Sequence, residues 1–155
     1  MIEKKPSDAQ RSMRRFLLFI FVLSIFCQGL SAGTFSGKCV GISDGDTISV
    51  MKYGRAIKIR LEGIDCPEQG QDFWTKARRF TSDMVFGKIV GVKEYNQDVY
   101  GRTVARVYED GKDISLELVK AGLAWHIKKY SSDPILEGAE DQARKRKNQS
   151  LSEFR

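Results

Sequence analysis

Between Phe35 and Tyr108 apolar and polar residues mostly alternate. The clearest run is Ala56 to Gly63, with Ile57, Ile59 and Leu61 on one face and Lys58, Arg60 and Glu62 on the other. Thr47 to Tyr53 alternates in the same way until Gly54 breaks it, and Phe35 to Ser43 alternates loosely up to the Asp44-Gly45 turn. Three such strands with tight links predict a meander. After Pro67 the period changes: Phe73, Ala77, Phe80 and Met84 recur at three- and four-residue spacing, predicting an amphipathic helix through Val85 that ends near Gly87. Strands resume over Lys88–Tyr95 and Thr103–Tyr108, separated by a polar turn at Asn96 to Asp98. Ile114 to Ala121 predicts a short helix capped by Asp113 and stopped by Gly122. Asp133-Pro134 opens a last helix to about Lys147, with proline at its first position.

Three strands, a helix, two strands and further helices is the order of a five-stranded OB-fold, a Greek-key β-barrel with about three helices in the α+β class. Its ligand face uses strands two and three and the loops after strands one and four. No internal repeat or low-complexity stretch interrupts it.

Composition refines the reading. The 155 residues are 41% hydrophobic and 30% charged, ordinary for one globular domain. The formal net charge of +6 is unevenly spread. Lys4, Lys5, Arg11, Arg14 and Arg15 against Glu3 and Asp8 supply about half of it, so a polyanion would be met at a local site rather than by bulk charge. Those cations precede a short apolar run, Phe16 to Phe26, and then Gly29-Leu30-Ser31. The pattern predicts a signal peptide over 1–33, cleaved near 31–33, ahead of a domain over 34–155. The run falls short of the about 20 residues that span a bilayer, so export without a lasting membrane anchor is expected. Export would permit a disulfide between Cys39 and Cys66; a buried strand thiol and a separate loop thiol is the equal alternative. His126, the only histidine, lies beside Trp125 and reads as structural rather than as the base of a triad.

The barrel would bring the chemistry-bearing residues to one end. The loop after strand one carries Asp44 and Asp46, the end of strand three Arg60, Asp65 and Glu68, and the loop after strand four Arg102 behind Gly101. Acids beside turns suit a hard cation, and arginines beside them suit a phosphate. Each feature has a plain alternative: Asp-Gly-Asp is a common turn, and Asp65 and Glu68 could cap the next helix. An EF-hand is excluded, because Arg55 stands where its bidentate glutamate belongs. Arg144 to Lys147 reads as a solvated helix end, with accessory phosphate contact the lesser reading, and Asn148-Gln-Ser150 is a formal glycosylation sequon.

These residues carry a resemblance. From about Ser36 to Lys147 the chain resembles the staphylococcal (thermonuclease-like) nuclease family. The matching words are Asp44-Gly-Asp46-Thr47, Arg60-Leu-x-Gly-Ile-Asp65-x-Pro67-Glu68, Tyr100-Gly-Arg102 and Gly122-Leu-Ala124-Trp125. The resemblance implies an OB-fold barrel and calcium-dependent cleavage of DNA and RNA phosphodiesters, leaving 3'-phosphate ends. It implies Asp46, Asp65 and the Cys66 backbone carbonyl as calcium ligands, with Asp44 reaching the ion through water. Glu68 would be the general base, and Arg60 and Arg102 the phosphate clamps. Nucleic acid is then the expected partner of a monomer with no stable protein partner. Two departures stand out. Leu151 is followed by Ser-Glu-Phe where members often have Leu-Trp. Near a tyrosine pair that contacts nucleotide in the best-known member, only Tyr130 matches, with Lys128 in place of a stacking ring. The competing reading is a non-catalytic OB module binding single strands or a protein, but such modules lose the acids or arginines that this chain keeps.

Overall fold

The computed structural model describes residues 33–152, with side chains from 33 to 147. The expected signal peptide and the Asn148 sequon side chain lie outside those residues. Strand β1 (Thr34–Asp44) turns at Gly45-Asp46 into β2 (Thr47–Lys52), which turns at Tyr53-Gly54 into β3 (Arg55–Leu61). The three form the expected antiparallel meander, with Thr47 opposite Arg60 and Ile48 opposite Ile59. A two-residue strand β4 (Ile64–Asp65) precedes helix α1 (Trp74–Val85). Strands β5 (Ile89–Gln97) and β6 (Thr103–Glu109) follow, then β7 (Lys112–Asp113), α2 (Ile114–Lys120), β8 (Trp125–His126) and α3 (Pro134–Ser152).

One strand serves both halves of the barrel. Thr34 to Lys38 of β1 pair with β5, while Cys39 to Asp44 pair with β2 through two register irregularities. Such bulges bend and twist a strand, which is how a sheet curls on itself. β6 then pairs antiparallel with β5 and parallel with β3, so the five long strands close into the expected barrel. Alternation decides what fills it: Ile48, Val50, Ile59, Leu61, Val90, Val92, Ala105 and Val107 are buried, and Ala77, Val85, Ile114, Leu118 and Leu136 seal it from the helices. Their removal from water is the main stabilising term. Among the described residues no helix is long and apolar enough to cross a membrane.

Several boundaries differ from expectation for local reasons. β5 continues through Asn96 and Gln97, which pair with Val104 and Thr103 past an irregularity, so the turn falls at Asp98 to Arg102. Phe73 does not join the buried face of α1: its φ is 68° and it is exposed, and the helix buries Ala77, Thr81 and Val85 instead. α2 is as expected, with Asp113 accepting from the Leu116 N–H. α3 runs five residues beyond Lys147. Pairing of β4 with β8 sets Ile64 opposite His126 and Asp65 opposite Trp125, and no alternation signals strands this short. His126 is buried there, and neither ring nitrogen has a hydrogen-bond partner among the described residues, in keeping with the structural reading.

Arg106 ties these pieces together. It donates from Nε to Glu62 at 2.7 Å, from Nη1 to Asp113 at 2.6 Å and from Nη2 to Asp133 at 2.5 Å. The end of β3, the cap of α2 and the entry to α3 thus share one guanidinium. Burial works against its charge, but the three carboxylates outweigh that and raise its pKa.

Candidate active site

Asp44, Asp46, Arg60, Asp65, Cys66, Glu68 and Arg102 line one cleft of about 310 Å³ at the end of the barrel. The three segments therefore meet as the topology requires. The acid turn is fastened to α1 from below. The Trp74 indole N–H donates to Asp44 Oδ1 at 3.0 Å, Arg78 donates to the carbonyls of Ile42 and Ser43, and buried Thr81 donates to the Gly45 carbonyl at 2.5 Å. Gly45 packs so closely that a Cβ there would lie 2.8 Å from both Ala77 Cβ and Cys66 Sγ. Glycine is therefore required by close approach rather than by its φ.

Asp46 is only 5% exposed and its carboxylate is held three ways. It accepts from the Cys66 N–H at 2.6 Å and from Thr47 Oγ1 at 3.1 Å, and it is ion-paired with Arg60. Arg60 also reaches Asp65 at 2.5 Å, so one guanidinium bridges two carboxylates. Burial opposes its charge, but Asp46 and then Asp65 win and raise its pKa. Its place in β3 follows from the pattern, since it lies opposite Thr47 and between the inward Ile59 and Leu61.

Arg102 is set by a turn built on Asp98. The Asp98 carboxylate accepts from the N–H groups of Tyr100 and Arg102 and from Arg102 Nε at 2.6 Å. Gly101, at φ 77°, supplies the left-handed step. Burial works against the Asp98 charge, but the Arg102 and Tyr100 donors hold its carboxyl below the usual carboxylate range. With Nε engaged, the two terminal nitrogens of Arg102 have no hydrogen-bond partner among the described residues. Glu68 is exposed, and its carboxylate likewise has none; its backbone is closed into a turn with Gln71. The helix-cap alternative for Asp65 and Glu68 does not apply, because α1 starts at Trp74 with no acid in its first turn.

The lining tests whether a metal fits. Four carboxylates (Asp44, Asp46, Asp65, Glu68) face two guanidinium groups, one of them already engaged by Asp98. That surplus of hard oxygen suits a cation such as calcium. Among the described residues no three acidic, histidine or cysteine side chains cluster as a metal cage. Burial, then Asp46, push the Cys66 thiol up and keep it protonated, so its carbonyl is the only ligand it offers. Cys39 and Cys66 are both free and buried, the alternative to a disulfide.

Lys128 and Tyr130 are not among the cleft-lining residues. Lys128 is paired with Glu137 at 2.6 Å, and Tyr130 is exposed beneath Lys129. Tyr100, also exposed, lies 5.5 Å from the Arg102 guanidinium. Sequence reasoning missed Asp98, Trp74 and Thr81 as supports. An aspartate two residues before Tyr-Gly is an Asx-turn signal, and a threonine on an otherwise apolar helix stripe signals a buried donor. Nothing local marks Trp74 as a partner of Asp44.

Comparison with known proteins agrees with the geometry. The family model described as staphylococcal nuclease homologue matches residues 58–150. A protein of Escherichia coli O157:H7 named an uncharacterized endonuclease is 37% identical over 139 residues, covering 87% of this chain and 88% of its own. Another so named, from Haemophilus influenzae, is 41% identical over 128 residues, covering 82% and 70%. A micrococcal nuclease of Shigella flexneri is 38% identical over 105 residues, covering 62% and 60%.

Proposed function

The chain belongs to the staphylococcal nuclease family, and from that premise we propose a calcium-dependent enzyme that hydrolyses DNA and RNA phosphodiesters. It acts as an exported monomer with little sequence preference and leaves 3'-phosphate ends. The observation that carries the reading is the cleft in which a surplus of carboxylate is bracketed by Arg60 and Arg102. Relatives named endonuclease and micrococcal nuclease support the reaction class.

Asp46, Asp65 and the Cys66 carbonyl would hold the ion, whose contribution when bound is to neutralise charge on the phosphate. Arg60 and Arg102 then grip the non-bridging oxygens, where charge grows as water attacks. Arginine serves here because its fork holds two oxygens and stays charged at any working pH. Asp98 fixes Arg102 through Nε and leaves the terminal nitrogens for phosphate. Glu68, unpartnered at the mouth, takes the proton of the attacking water as the new P–O bond forms and the P–O5' bond breaks, the departing 5'-oxygen taking a proton from solvent. Phosphate contacts read no bases, hence the weak sequence preference. The charged segment before Phe16 and the small residues after it support export, which intact-mass reading of the exported product tests: a start between Ala32 and Thr34 agrees, retention of Met1 refutes.

Glu68→Gln keeps the shape and removes the base. Turnover should fall by about 100-fold or more while DNA affinity and thermal midpoint stay near wild type. Excess chelator should stop cleavage without unfolding the domain. Cutting by Glu68→Gln at nearly the wild-type rate, or undiminished wild-type activity in chelator, would overturn the mechanism.

A further inference from the structure

The four carboxylates of the cleft differ in what they can offer a cation. Asp46 and Asp65 share the Arg60 guanidinium, so their charge is partly met within the chain. Glu68 has no partner among the described residues to set its direction. Asp44 is different. Its carboxylate is oriented by a neutral donor, the Trp74 indole N–H at 3.0 Å from Oδ1, and has no ion pair among the described residues. We propose that Trp74 is a positioning residue for the cation, an inference that rests on the calcium reading above. Its N–H turns Asp44 so that Oδ2, which has no partner among the described residues, is kept for the ion's water.

The local structure holds the indole firmly. Trp74, half-buried, is the first residue of α1, and the chain enters the helix through Phe73 at φ 68°, a left-handed step costly for a bulky side chain. Trp74, Ala77 and Thr81 follow at three- and four-residue spacing and all meet the acid turn, the last two at Gly45. The Arg78 guanidinium lies 5.8 Å from the centre of the Trp74 ring, and its Nε is shared by the carbonyls of Ile42 and Ser43 at 3.2 Å each. Arg78 therefore steadies the ring and the strand end without pairing with Asp44. A neutral N–H turns a carboxylate and leaves its charge available, whereas a salt bridge would turn it and offset the charge a cation needs. Arg78 and Thr81 already fasten the turn, so the indole N–H can be removed without freeing it.

Trp74→Phe keeps a ring beside Arg78 and removes the donor. Calcium ion is titrated by calorimetry into the substrate-free full chain, as wild type, Trp74→Phe, Asp44→Ala and the double variant. Asp44→Ala should raise the calcium Kd about tenfold, and Trp74→Phe about fivefold, less because it acts one bond further out. On the Asp44→Ala background, Trp74→Phe should change Kd by less than about twofold, since no carboxylate is left to position. In cleavage assays Trp74→Phe should need about fivefold more calcium for half-maximal rate, with kcat at saturating calcium within about twofold of wild type. A Trp74→Phe Kd within about twofold of wild type overturns the inference. So does a loss of the same size on the Asp44→Ala background, which makes Trp74 a packing element. A wild type that binds no calcium refutes the calcium reading, and the inference falls with it. Binding by wild type with an unaltered variant removes the inference alone.

Discussion

Removing the Arg106 guanidinium would expose how the barrel end is held. Arg106→Met keeps most of the apolar stem but leaves Glu62, Asp113 and Asp133 facing one another without a cation. The Arg106 side chain is 11% exposed and its partners 12–22%. Breaking a buried pair by removing one member costs about 3–5 kcal/mol, and this residual exposure favours the lower end, about 3 kcal/mol. For a domain of this size that lowers the thermal midpoint by about 10 °C. The pH dependence gives a second reading. Burial opposes the Asp133 charge, but hydrogen bonds from Arg106 and the Ile135 N–H hold its carboxyl below the usual range. A depressed carboxyl contributes stability that is full above its unfolded pKa, about 3.9, and is lost as pH falls through its folded value. The gap between wild type and variant should therefore be full at pH 7 and shrink steadily below about pH 4. Urea unfolding across that range measures it. A gap that is absent at pH 7, or that stays constant into acid, would refute the reasoning.

Three further expectations can be checked together. Asp98→Asn keeps an acceptor for the turn N–H groups but loses the charged contact to Arg102 Nε; kcat/KM should fall about tenfold with the thermal midpoint little changed, and an unaltered rate would remove Asp98 as a positioning residue. Gly45→Ala forces a methyl against Ala77 and Cys66, so it should cost about 1–3 kcal/mol by urea unfolding and displace the acid turn, depressing cleavage as well; a wild-type stability would contradict the packing. His126→Leu removes two buried nitrogens that have no partner among the described residues, and its thermal midpoint should hold or rise, whereas a fall of several degrees would indicate hydrogen bonds that the described residues do not supply.

What could be read from the chain and what could not divide along physical lines. The alternation at 47–52 and 55–61 carries strand identity, facing and register together, because burial of one face leaves a single workable pairing. Arg60 was legible for the same reason, lying between inward Ile59 and Leu61. The β4–β8 pair was not, since two residues hold no period, and its partners are about sixty positions apart. Phe73 misled because its spacing fits a helix while its backbone leaves one. The partners of Arg106 come from three distant segments, and a charged residue alternating on a strand looks the same whether it meets water or three carboxylates.

The burial of Asp46 divides the cleft into two kinds of residue. Its carboxylate stitches β2 to the Cys66 backbone and to Arg60, so the group proposed to grip the ion is also a fastening of the barrel mouth. Exposed Glu68 carries no comparable duty, and exposed Asp65 only its pair with Arg60. Substitutions at Asp46 should therefore be scarce even where catalysis is no longer needed, whereas Asp65 and Glu68 are free to drift once it is not. In a chain of this fold, Asp46 alone would mark a barrel, and all three acids together would mark a working nuclease.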